Sequence, residues 1–346
     1  MKLEYKCLDL QLAHPWTIAR TRGMNSFRVI IVELADADGT IGLGEAAPVT
    51  RYHESVETVE AFLRKVDLRR LSFDDLSGSN GYLNSLSQGD SSAKCAVNIA
   101  LFDGAAKRAG KSLAGFLGLS FQEQRHVTSF TIGIDNPEVI HKKVLAAEKY
   151  PVLKMKVGVP EDKINWQALR NAAPTKPVRV DANEGWSTKE QALEMIEWLA
   201  RDGRVQFVEQ PLPASTTVKD WAWLKQRSPL PIFGDESYHL ARNAASAAEC
   251  FHGVNVKLVK TGGIIAGIEA LQAARAAGLK TMLGCMIETS VLITAGAHLA
   301  GLCDYLDLDG NLLITNDPYL GVTTEDGMLS FINAPGQFGL RVKARG

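Results

Sequence analysis

The sequence lacks three features that would point to particular protein classes: a long apolar run, a large net charge and paired cysteines. No apolar run approaches the roughly 18 residues that a membrane-spanning helix needs. The 346 residues carry a formal net charge of −1, so no general basic character suggests binding to nucleic acid or to an anionic membrane. We therefore expect no nucleic-acid partner and no membrane partner.

The cysteines are five in number, and no two of them are spaced as a CxxC pair. This pattern argues against a zinc ribbon and against a disulfide framework, and it favours reduced thiols. The N-terminal stretch, MKLEYKCLDLQL, alternates like a strand and has no apolar core of the kind found in signal peptides. The sequence thus predicts a cytoplasmic location.

The first third of the chain mixes strand and helix patterns. Residues 27–48 predict a hairpin around an Asp-Gly turn, and residues 93–110 have the apolar spacing of a helix that ends at a glycine. The length is sufficient for one large barrel and a second, smaller domain. We predict an N-terminal α+β domain over residues 1–125.

From about residue 126, short β-rich runs alternate with amphipathic stretches rich in Ala and Leu. This alternation indicates βα units and a parallel sheet, and eight such runs at intervals of about 25 residues predict an α/β fold of the TIM-barrel type over 126–314. The Gly- and Pro-rich segment 315–346 is expected to return to the N-terminal domain. The predicted strands are 128–134, 152–157, 178–182, 205–210, 231–236, 254–259, 281–286 and 305–310.

The second predicted barrel strand, in PVLKMKVG, carries two lysines inside an apolar run. Lys154 and Lys156 project to the same face, because residues i and i+2 of a strand do so. Two neighbouring ammonium groups repel each other, and burial raises the free-energy cost unless anions lie close by. Taken alone, the pattern favours an edge strand with two solvated lysines, and it indicates a buried strand only if anionic groups lie beside it.

Most of the predicted barrel strands end in an ionisable residue. In this fold the C-terminal ends of the strands meet at one rim, where active sites are built. We therefore expect the following side chains to converge on one site: Lys156, Asp181, Glu209, Asp235, Lys257, Asp307 and Asp309.

Three acids at neighbouring strand ends, Asp181, Glu209 and Asp235, come without His or Cys partners. Such oxygen ligands suit a hard divalent cation, and without a cation the three carboxylates would repel one another. We predict one Mg²⁺ per active site, with Mn²⁺ as an alternative. Asn183 and Glu236 follow the ligands closely in sequence and are expected to support them.

The lysines on either side of these acids predict a reaction. Lys156 lies one strand before the acids and Lys257 one strand after, so we expect them to flank a metal-bound substrate. A neutral lysine can remove a proton from a carbon beside a carboxylate, and the metal stabilises the resulting enolate. A protonated lysine opposite can return a proton to the other face, which inverts the stereocentre. Lys154 is better placed to hold the substrate carboxylate.

Five motifs at these strand ends resemble those of the enolase superfamily, in its muconate-lactonizing-enzyme-like subgroup. The resemblance covers nearly the whole chain, including GLGEAAP at 42–48 of the N-terminal domain. It implies a modified β/α barrel with an N-terminal capping domain that the C-terminal segment completes. The motifs are KMK (154–156), DAN (181–183), EQPL (209–212), GDES (234–237) and NVKLVKTGG (255–263).

Within this subgroup the chain looks most like the dipeptide epimerases. LGCMIETS at 283–290 resembles the segment that ends their seventh strand. DLDG at 307–310 matches their Asp-x-Asp signature, which implies that Asp307 and Asp309 bind the α-ammonium group of a dipeptide. The implied reaction is inversion of the α-carbon of the C-terminal residue.

The resemblance also implies substrate contacts. The segment PWTIARTRG, 15–23, corresponds to a loop that closes over the site in this family, and an acidic second residue is favoured because guanidinium groups pair well with carboxylates. We predict L-Ala-D/L-Glu from peptidoglycan turnover as the substrate, and a homo-oligomer. The implied substrate contacts, besides the residues above, are Arg20, Arg22, Thr131 and Cys285.

Other functions remain open at this stage. An o-succinylbenzoate synthase or a muconate cycloisomerase would use the same lysines, and an epimerase of non-acidic dipeptides would need no arginine. The three acids argue against a Schiff-base aldolase, and the intact motifs at every position argue against a barrel that only binds small molecules. Lys260 is expected to face away from the site, whereas Glu45 and Arg51 are expected in or beside a second loop near the substrate.

Overall fold

The structure, a computed structural model, describes residues 1–346 apart from the side chain of Glu325. It contains an antiparallel three-stranded sheet at the N-terminus and a parallel eight-stranded sheet in the rest of the chain. The predicted fold, a β/α barrel with an α+β cap, is confirmed. No helix among the described residues combines the length and the apolar character that crossing a membrane requires.

The cap begins with an antiparallel meander of three strands. The predicted hairpin is confirmed, and its turn is fixed by the Asp36 carboxylate, which accepts hydrogen bonds from the backbone N–H groups of Asp38 and Thr40. The strands are β1 (Lys2–Ile18), β2 (Thr21–Ala35) and β3 (Ile41–Ala46). The helices of the cap are α1 (Val56–Leu63), α2 (Leu76–Ser85), α3 (Ser91–Arg108) and α4 (Leu113–Phe116).

The long helix α3, predicted over 93–110, packs directly against β3. A Cβ atom added to Gly42 would lie 1.9 Å from the carbonyl oxygen of Ala100, and one added to Gly44 would lie 2.0 Å from that of Ala96. The glycines of the GLGEAAP stretch therefore allow the backbones of the strand and the helix to touch. This contact fixes the position of β3 against the helix.

The barrel contains eight strands in chain order, and neighbouring strands are parallel. The first and last strands meet through a bridge between Thr128 and Leu306, so the barrel is nearly closed. All eight predicted strands are present, but they are shorter than predicted. They are β4 (Phe130–Ile132), β5 (Leu153–Lys156), β6 (Val178–Asp181), β7 (Val205–Glu209), β8 (Ile232–Gly234), β9 (Gly253–Lys257), β10 (Lys280–Gly284) and β11 (Tyr305–Asp307).

The barrel helices begin where the sequence provides capping side chains. Asn136, Thr188, Thr217 and Thr289 each accept a hydrogen bond from a backbone N–H of the first helical turn. The helices are α5 (Pro137–Ala146), α6 (Asp162–Ala172), α7 (Lys189–Ala200), α8 (Val218–Arg227), α9 (Ala244–Cys250), α10 (Leu258–Thr261), α11 (Ile264–Ala276) and α12 (Ser290–Ala297).

The segment 15–23, which we expected to be a loop, is instead the end of the hairpin formed by β1 and β2. Trp16 pairs with Met24 and Ile18 pairs with Thr21, with irregularities in the register on either side of Trp16. The two strands thus stay paired up to the tight turn between Ile18 and Thr21. We call residues 15–24 the hairpin tip.

The C-terminal segment returns to the cap, as predicted. The backbone N–H of Thr315 donates to the carbonyl oxygen of Gln11, and that of Leu113 donates to Gly339, both at 2.8 Å. The segment also contacts the start of the barrel, so the predicted boundaries at 125 and 314 stay predictions. Its strands are β12 (Tyr319–Leu320), β13 (Thr323–Glu325), β14 (Met328–Ser330) and β15 (Lys343–Ala344).

Candidate active site

The ionisable residues predicted at the strand ends do converge on one rim. The strand register places Lys156 beside Asp181 and Asp181 beside Glu209. Asp235 follows β8 by one residue, and Lys257 ends β9. All five residues are at most 9% exposed, so the rim is a buried cluster of charges.

A cavity of about 350 Å³ lies between this rim and the cap. The cap contributes the hairpin tip and residues 47–52, which follow β3. The barrel contributes both predicted catalytic lysines and both acids of the DLDG motif. The cavity is thus enclosed by residues of both the cap and the barrel, and it has room for a small substrate.

Lys154 lies at the base of this site and faces three carboxylates. Its ammonium nitrogen is 2.6 Å from Asp307 Oδ2, 3.0 Å from Asp181 Oδ2 and 2.8 Å from Glu209 Oε2. Burial would lower the pKa of Lys154, but the carboxylates outweigh it and hold the pKa well above its ordinary value. The anions expected beside the second barrel strand are therefore present.

Lys156 and Lys257 occupy opposite sides of the cavity. They lie on β5 and β9, which are four strands apart in the eight-stranded barrel, and both line the cavity. The Lys156 ammonium contacts Asp181 Oδ2 at 2.7 Å, and the Lys257 ammonium contacts Asp235 Oδ2 at 2.9 Å. A substrate between them would present one face to each lysine.

Lys260 also belongs to this cluster, so the expectation that it faces away is wrong. Its ammonium donates to Asp235 Oδ1 and to the carbonyl oxygens of Asp235, Tyr238 and Asn255. The reason is that β9 ends at Lys257 and a short helix begins at Leu258. Each helical residue turns the side-chain direction by about 100° instead of 180°, which brings Lys260 back towards the site.

The acids of the rim fit a cation in their donor chemistry, although lysines lie between them. Among the described residues, no three side chains of His, Cys, Asp or Glu are arranged to hold a metal ion together. Buried oxygens without a hydrogen-bond partner nevertheless remain on Asn183, Glu209 and Glu236. Glu209 Oε2 lies near Lys154 without good hydrogen-bond geometry, and burial together with Asp181 raises the pKa of Glu209 to about 7.

The two acids of DLDG are held in different ways. Asp307 accepts from Ser129 Oγ at 2.6 Å; burial opposes its ionisation, but Lys154 keeps the pKa of Asp307 below its ordinary value. Asp309 accepts from the backbone N–H of Thr131 at 2.7 Å, and burial together with Asp307 raises the pKa of Asp309 to about 6. A positive group in the cavity would therefore be attracted to Asp309.

Cys285 follows β10 and lines the cavity beside these acids. Its sulfur lies 3.1 Å from the carbonyl oxygen of Asp307 and 3.7 Å from Asp309 Oδ1. Burial of the sulfur and the nearby Asp309 raise the pKa of Cys285 well above its ordinary value. A neutral thiol is a poor nucleophile, which agrees with a contact role.

Arg20 joins the hairpin tip to the barrel. Its Nη1 donates to the carbonyl oxygen of Asn183 at 2.9 Å, to Glu184 Oε2 at 3.0 Å and to Glu236 Oε1 at 2.6 Å. Asn183 and Glu184 adopt positive φ angles of 44° and 67°, which turn the chain sharply after β6. Thus the predicted supporting residues Asn183 and Glu236 contact the cap.

Comparison with known protein families agrees with this architecture. Residues 3–118 match the mandelate racemase / muconate lactonizing enzyme N-terminal domain, and residues 140–342 match the enolase C-terminal domain-like family. The chain belongs to the enolase superfamily. The family predicted from the strand-end motifs is therefore confirmed.

Individual relatives of this superfamily member are similar over their full length. An L-Ala-D/L-amino acid epimerase from Pedosphaera parvula is 62% identical over 100% of both chains. The substrate-liganded L-Ala-D/L-Glu epimerase of Bacillus subtilis has a TM-score of 0.91 and 27% identity, covering 99% of this chain and 98% of that one. A dipeptide epimerase from Cytophaga hutchinsonii, complexed with Mg and D-Ala-L-Val, has a TM-score of 0.90 and 27% identity, covering 99% and 95%. The predicted class of enzyme, a racemase or epimerase, is confirmed.

Two expectations about the cap of this superfamily member are not met. Arg22 is exposed and is not among the residues that line the cavity. Glu45 does not reach the cavity either: it is fully buried in β3 and accepts hydrogen bonds from Thr289 and Leu292 at the start of α12. Arg51 does line the cavity and forms a bidentate ion pair with Glu184 at 2.9 Å.

Several residues of the site were missed in the sequence. Asn255 donates to Glu209 Oε1 at 2.8 Å, and its position two residues before Lys257 on the same strand face could have indicated this. Trp16 lies beside the ammonium of Lys156, with the nitrogen 5.9 Å from the ring centroid. Further cavity-lining side chains that were not singled out include Ile18, Met24, Phe27, Arg28, Tyr52, Met286, Ile287 and Leu313.

Proposed function

We propose that this chain is a metal-dependent dipeptide epimerase that inverts the α-carbon of the C-terminal residue. The observation that carries the proposal is the placement of Lys156 and Lys257 on strands four apart, on opposite sides of one cavity. Inversion requires one group to remove a proton from one face and another to add a proton to the other face. Relatives named as epimerases of L-Ala dipeptides support the same reaction.

In the proposed reaction, Lys156 acts as a neutral amine and takes the α-proton from one face of the C-terminal residue. The electron pair of the C–H bond moves towards the substrate carboxylate and gives an enolate. Lys257, as an ammonium group, then donates a proton to the opposite face of the same carbon. In the reverse direction the two lysines exchange roles, because each step is reversible.

Asp181, Glu209 and Asp235 would hold the metal, which we propose to be Mg²⁺ with Mn²⁺ as an alternative. Their donor set and the unpartnered oxygens on Glu209 and Glu236 support this assignment. When bound, the cation supplies positive charge that stabilises the enolate. A homologue whose structure contains Mg and a dipeptide supports the choice of metal.

The substrate's own charges would be met by residues at the base of the cavity. Asp309, and Asp307 beside it, would bind the α-ammonium group, while Lys154 would face the substrate carboxylate. Thr131 and Cys285 hold Asp309 in place through the contacts described above. Two carboxylates at this position favour an ammonium-bearing dipeptide over the aromatic or dicarboxylic substrates of a cycloisomerase or an o-succinylbenzoate synthase.

L-Ala-D/L-Glu is retained as a proposed substrate, since a homologue of similar structure carries that name. A cytoplasmic location, a homo-oligomeric state and a role in peptidoglycan turnover stay predictions from the sequence. The test is proton NMR of L-Ala-L-Glu with the enzyme and Mg²⁺ in D₂O, beside other L-Ala dipeptides. Loss of the C-terminal α-proton signal together with new resonances of the L,D diastereomer is expected. No exchange with any dipeptide would overturn the proposal.

A further inference from the structure

The hairpin tip is docked on the barrel at two places besides Arg20. The carbonyl oxygen of Thr17 accepts a hydrogen bond from the backbone N–H of Ile134 at 2.9 Å. Ala19 packs against Gly158 and Gly185, and a Cβ atom on either glycine would lie 2.9 Å from the Cβ of Ala19. The two glycines therefore leave room on the barrel surface for Ala19 of the hairpin tip.

Arg20 completes this docking through acids that belong to the barrel. The side chains of its partners Glu236 and Glu184 are 1% and 8% exposed, respectively. If Arg20 turned away to bind a substrate, the buried Glu236 carboxylate would lose this arginine, whereas Glu184 would keep its ion pair with Arg51. Removing one partner of a buried ion pair is strongly unfavourable, because the other charge stays desolvated. The geometry therefore opposes a transfer of Arg20 from the barrel to a substrate carboxylate.

The second arginine at this edge is engaged in the same way. Arg51 donates from Nε and Nη2 to the two carboxylate oxygens of Glu184, which also accepts from the backbone N–H of Ala214 at 2.7 Å. Two arginines thus face two glutamates, Glu184 and Glu236, and their formal charges cancel. A carboxylate on the substrate side chain would meet a neutral cluster at this edge of the cavity.

The rest of the hairpin offers a mainly apolar wall. Ile18, Met24 and Phe27 line the cavity, as does Arg28. The Arg28 side chain is 55% exposed and already contacts Glu57 at 3.2 Å. An exposed arginine of this kind contributes little binding energy, since water screens its charge. The wall therefore has no desolvated, unpaired cation that would select for an acidic side chain.

We propose that Arg20 is a latch that holds the hairpin tip closed on the barrel, and that this enzyme recognises the second residue of its dipeptide without a charge clamp. The inference rests on the proposed function and adds a substrate class: L-Ala dipeptides with uncharged second residues are used as readily as L-Ala-L-Glu. Arg20 is a positioning residue, because it acts through the closure of the cavity.

The test compares two dipeptides that differ in charge and hardly in shape, L-Ala-L-Glu and L-Ala-L-Gln. The ratio of their kcat/KM values is measured by NMR for the wild-type enzyme and for Arg20→Met. A charge clamp would favour Glu by roughly 100-fold, the effect of a charge-assisted hydrogen bond, and Arg20→Met would abolish that preference. A latch predicts a ratio within about tenfold in the wild type and an equal loss of both rates in the variant.

A second measurement reports on the latch without any substrate. Arg22, beside the turn, is exposed, and trypsin cleavage after it is followed by mass spectrometry. Arg20→Met is expected to be cleaved roughly 100-fold faster, because the closed hairpin tip would then keep the buried Glu236 carboxylate without its arginine. Arg69→Met is the matched control: its side chain is 89% exposed and pairs with Asp67 in the cap, so neither the cleavage rate nor the selectivity ratio should change.

The outcomes separate the inference from the proposed function. The inference alone fails if the wild type epimerises L-Ala-L-Glu but rejects L-Ala-L-Gln by about 100-fold, whether Arg20→Met or Arg28→Met removes the preference. It also fails if Arg20→Met leaves the cleavage rate after Arg22 unchanged. If neither dipeptide is epimerised by the wild type, the proposed function fails and the substrate class fails with it.

Discussion

The barrel rim and the hairpin tip face each other across one cavity, but they are built in contrasting ways. The rim is a buried cluster in which lysines and carboxylates neutralise one another, from Lys154 with its three acids to Asp235 between two lysines. The hairpin tip presents mainly apolar side chains, and its Arg20 is directed to the barrel. Under the proposed function this is a division of labour: the rim would carry out the proton transfer, and the hairpin would shape the space for the side chain.

The largest expected effect comes from removing a lysine of the rim. Lys156→Ala or Lys257→Ala should abolish epimerisation, since inversion needs a proton donor or acceptor on each face; a general base alone contributes roughly 10²- to 10⁴-fold in rate. Each variant should still exchange the α-proton of one isomer with solvent, because one lysine remains. Proton NMR in D₂O, starting from each diastereomer, measures both activities.

The control for this experiment is Lys280→Ala, which removes an exposed lysine paired with Asp304 at 3.1 Å. Lys280 begins β10 and therefore lies at the end of the barrel away from the rim. It should epimerise at the wild-type rate. The two-base mechanism is contradicted if either rim variant epimerises at that rate, and the division of labour is contradicted if a rim variant affects one dipeptide much more than another.

The next effect in size concerns the stability of the rim. Lys260→Met keeps the shape of the side chain but removes the ammonium group that Asp235 and three backbone carbonyl oxygens contact. Breaking a buried ion pair by removing one partner typically costs about 3–5 kcal/mol in the free energy of unfolding. Urea denaturation followed by circular dichroism measures this loss.

Lys280→Met serves as the matched control, since its exposed ion pair with Asp304 should contribute at most about 1 kcal/mol. Equal stabilities of the two variants would show that the buried contacts of Lys260 are not stabilising. In that case the lysine–carboxylate pairs of the rim would not stabilise the folded protein.

The rim could be predicted from the sequence because its geometry follows from local rules. Eight regularly spaced strands bring their ends to one level, so Lys156, Asp181 and Glu209 are neighbours as soon as the strands are recognised. Lys260 was misplaced because the end of β9 was predicted two residues too late. An error of that size at the end of an element is enough to reverse the direction of a side chain.

The hairpin tip could not be predicted in the same way. Arg20 and Glu236 are 216 residues apart in the chain, and no local pattern announces their contact. We expected Arg22 to reach the substrate, but it lies exposed beside the turn of the hairpin. Long-range packing thus decides which arginine faces the site, and the chemistry was easier to predict than the selectivity.

The smallest effect is expected at the joint between the two regions. Glu45, in the cap, accepts three hydrogen bonds from the start of α12, in the barrel, yet burial raises the pKa of Glu45 to about 7, with Asp317 adding to the effect. Because the folded state binds this proton more tightly than the unfolded state, stability falls as pH rises from the ordinary carboxyl value to about 7. The cap–barrel joint should therefore be strongest in mild acid.

Glu45→Gln removes this titration and should flatten the pH dependence. Between pH 5 and pH 8, the unfolding free energy of the wild type should fall relative to that of the variant by up to about 3 kcal/mol. Urea denaturation at each pH measures the difference, with Glu197→Gln, an exposed change on α7, as the control that should follow the wild type. Parallel curves for wild type and Glu45→Gln would mean that Glu45 is ionised in the folded state, held by the N-terminus of α12. The contact between cap and barrel would then be one between the Glu45 carboxylate and the dipole of α12. Its contribution to stability would rise with pH through the ordinary carboxyl pKa, the reverse of the dependence predicted here.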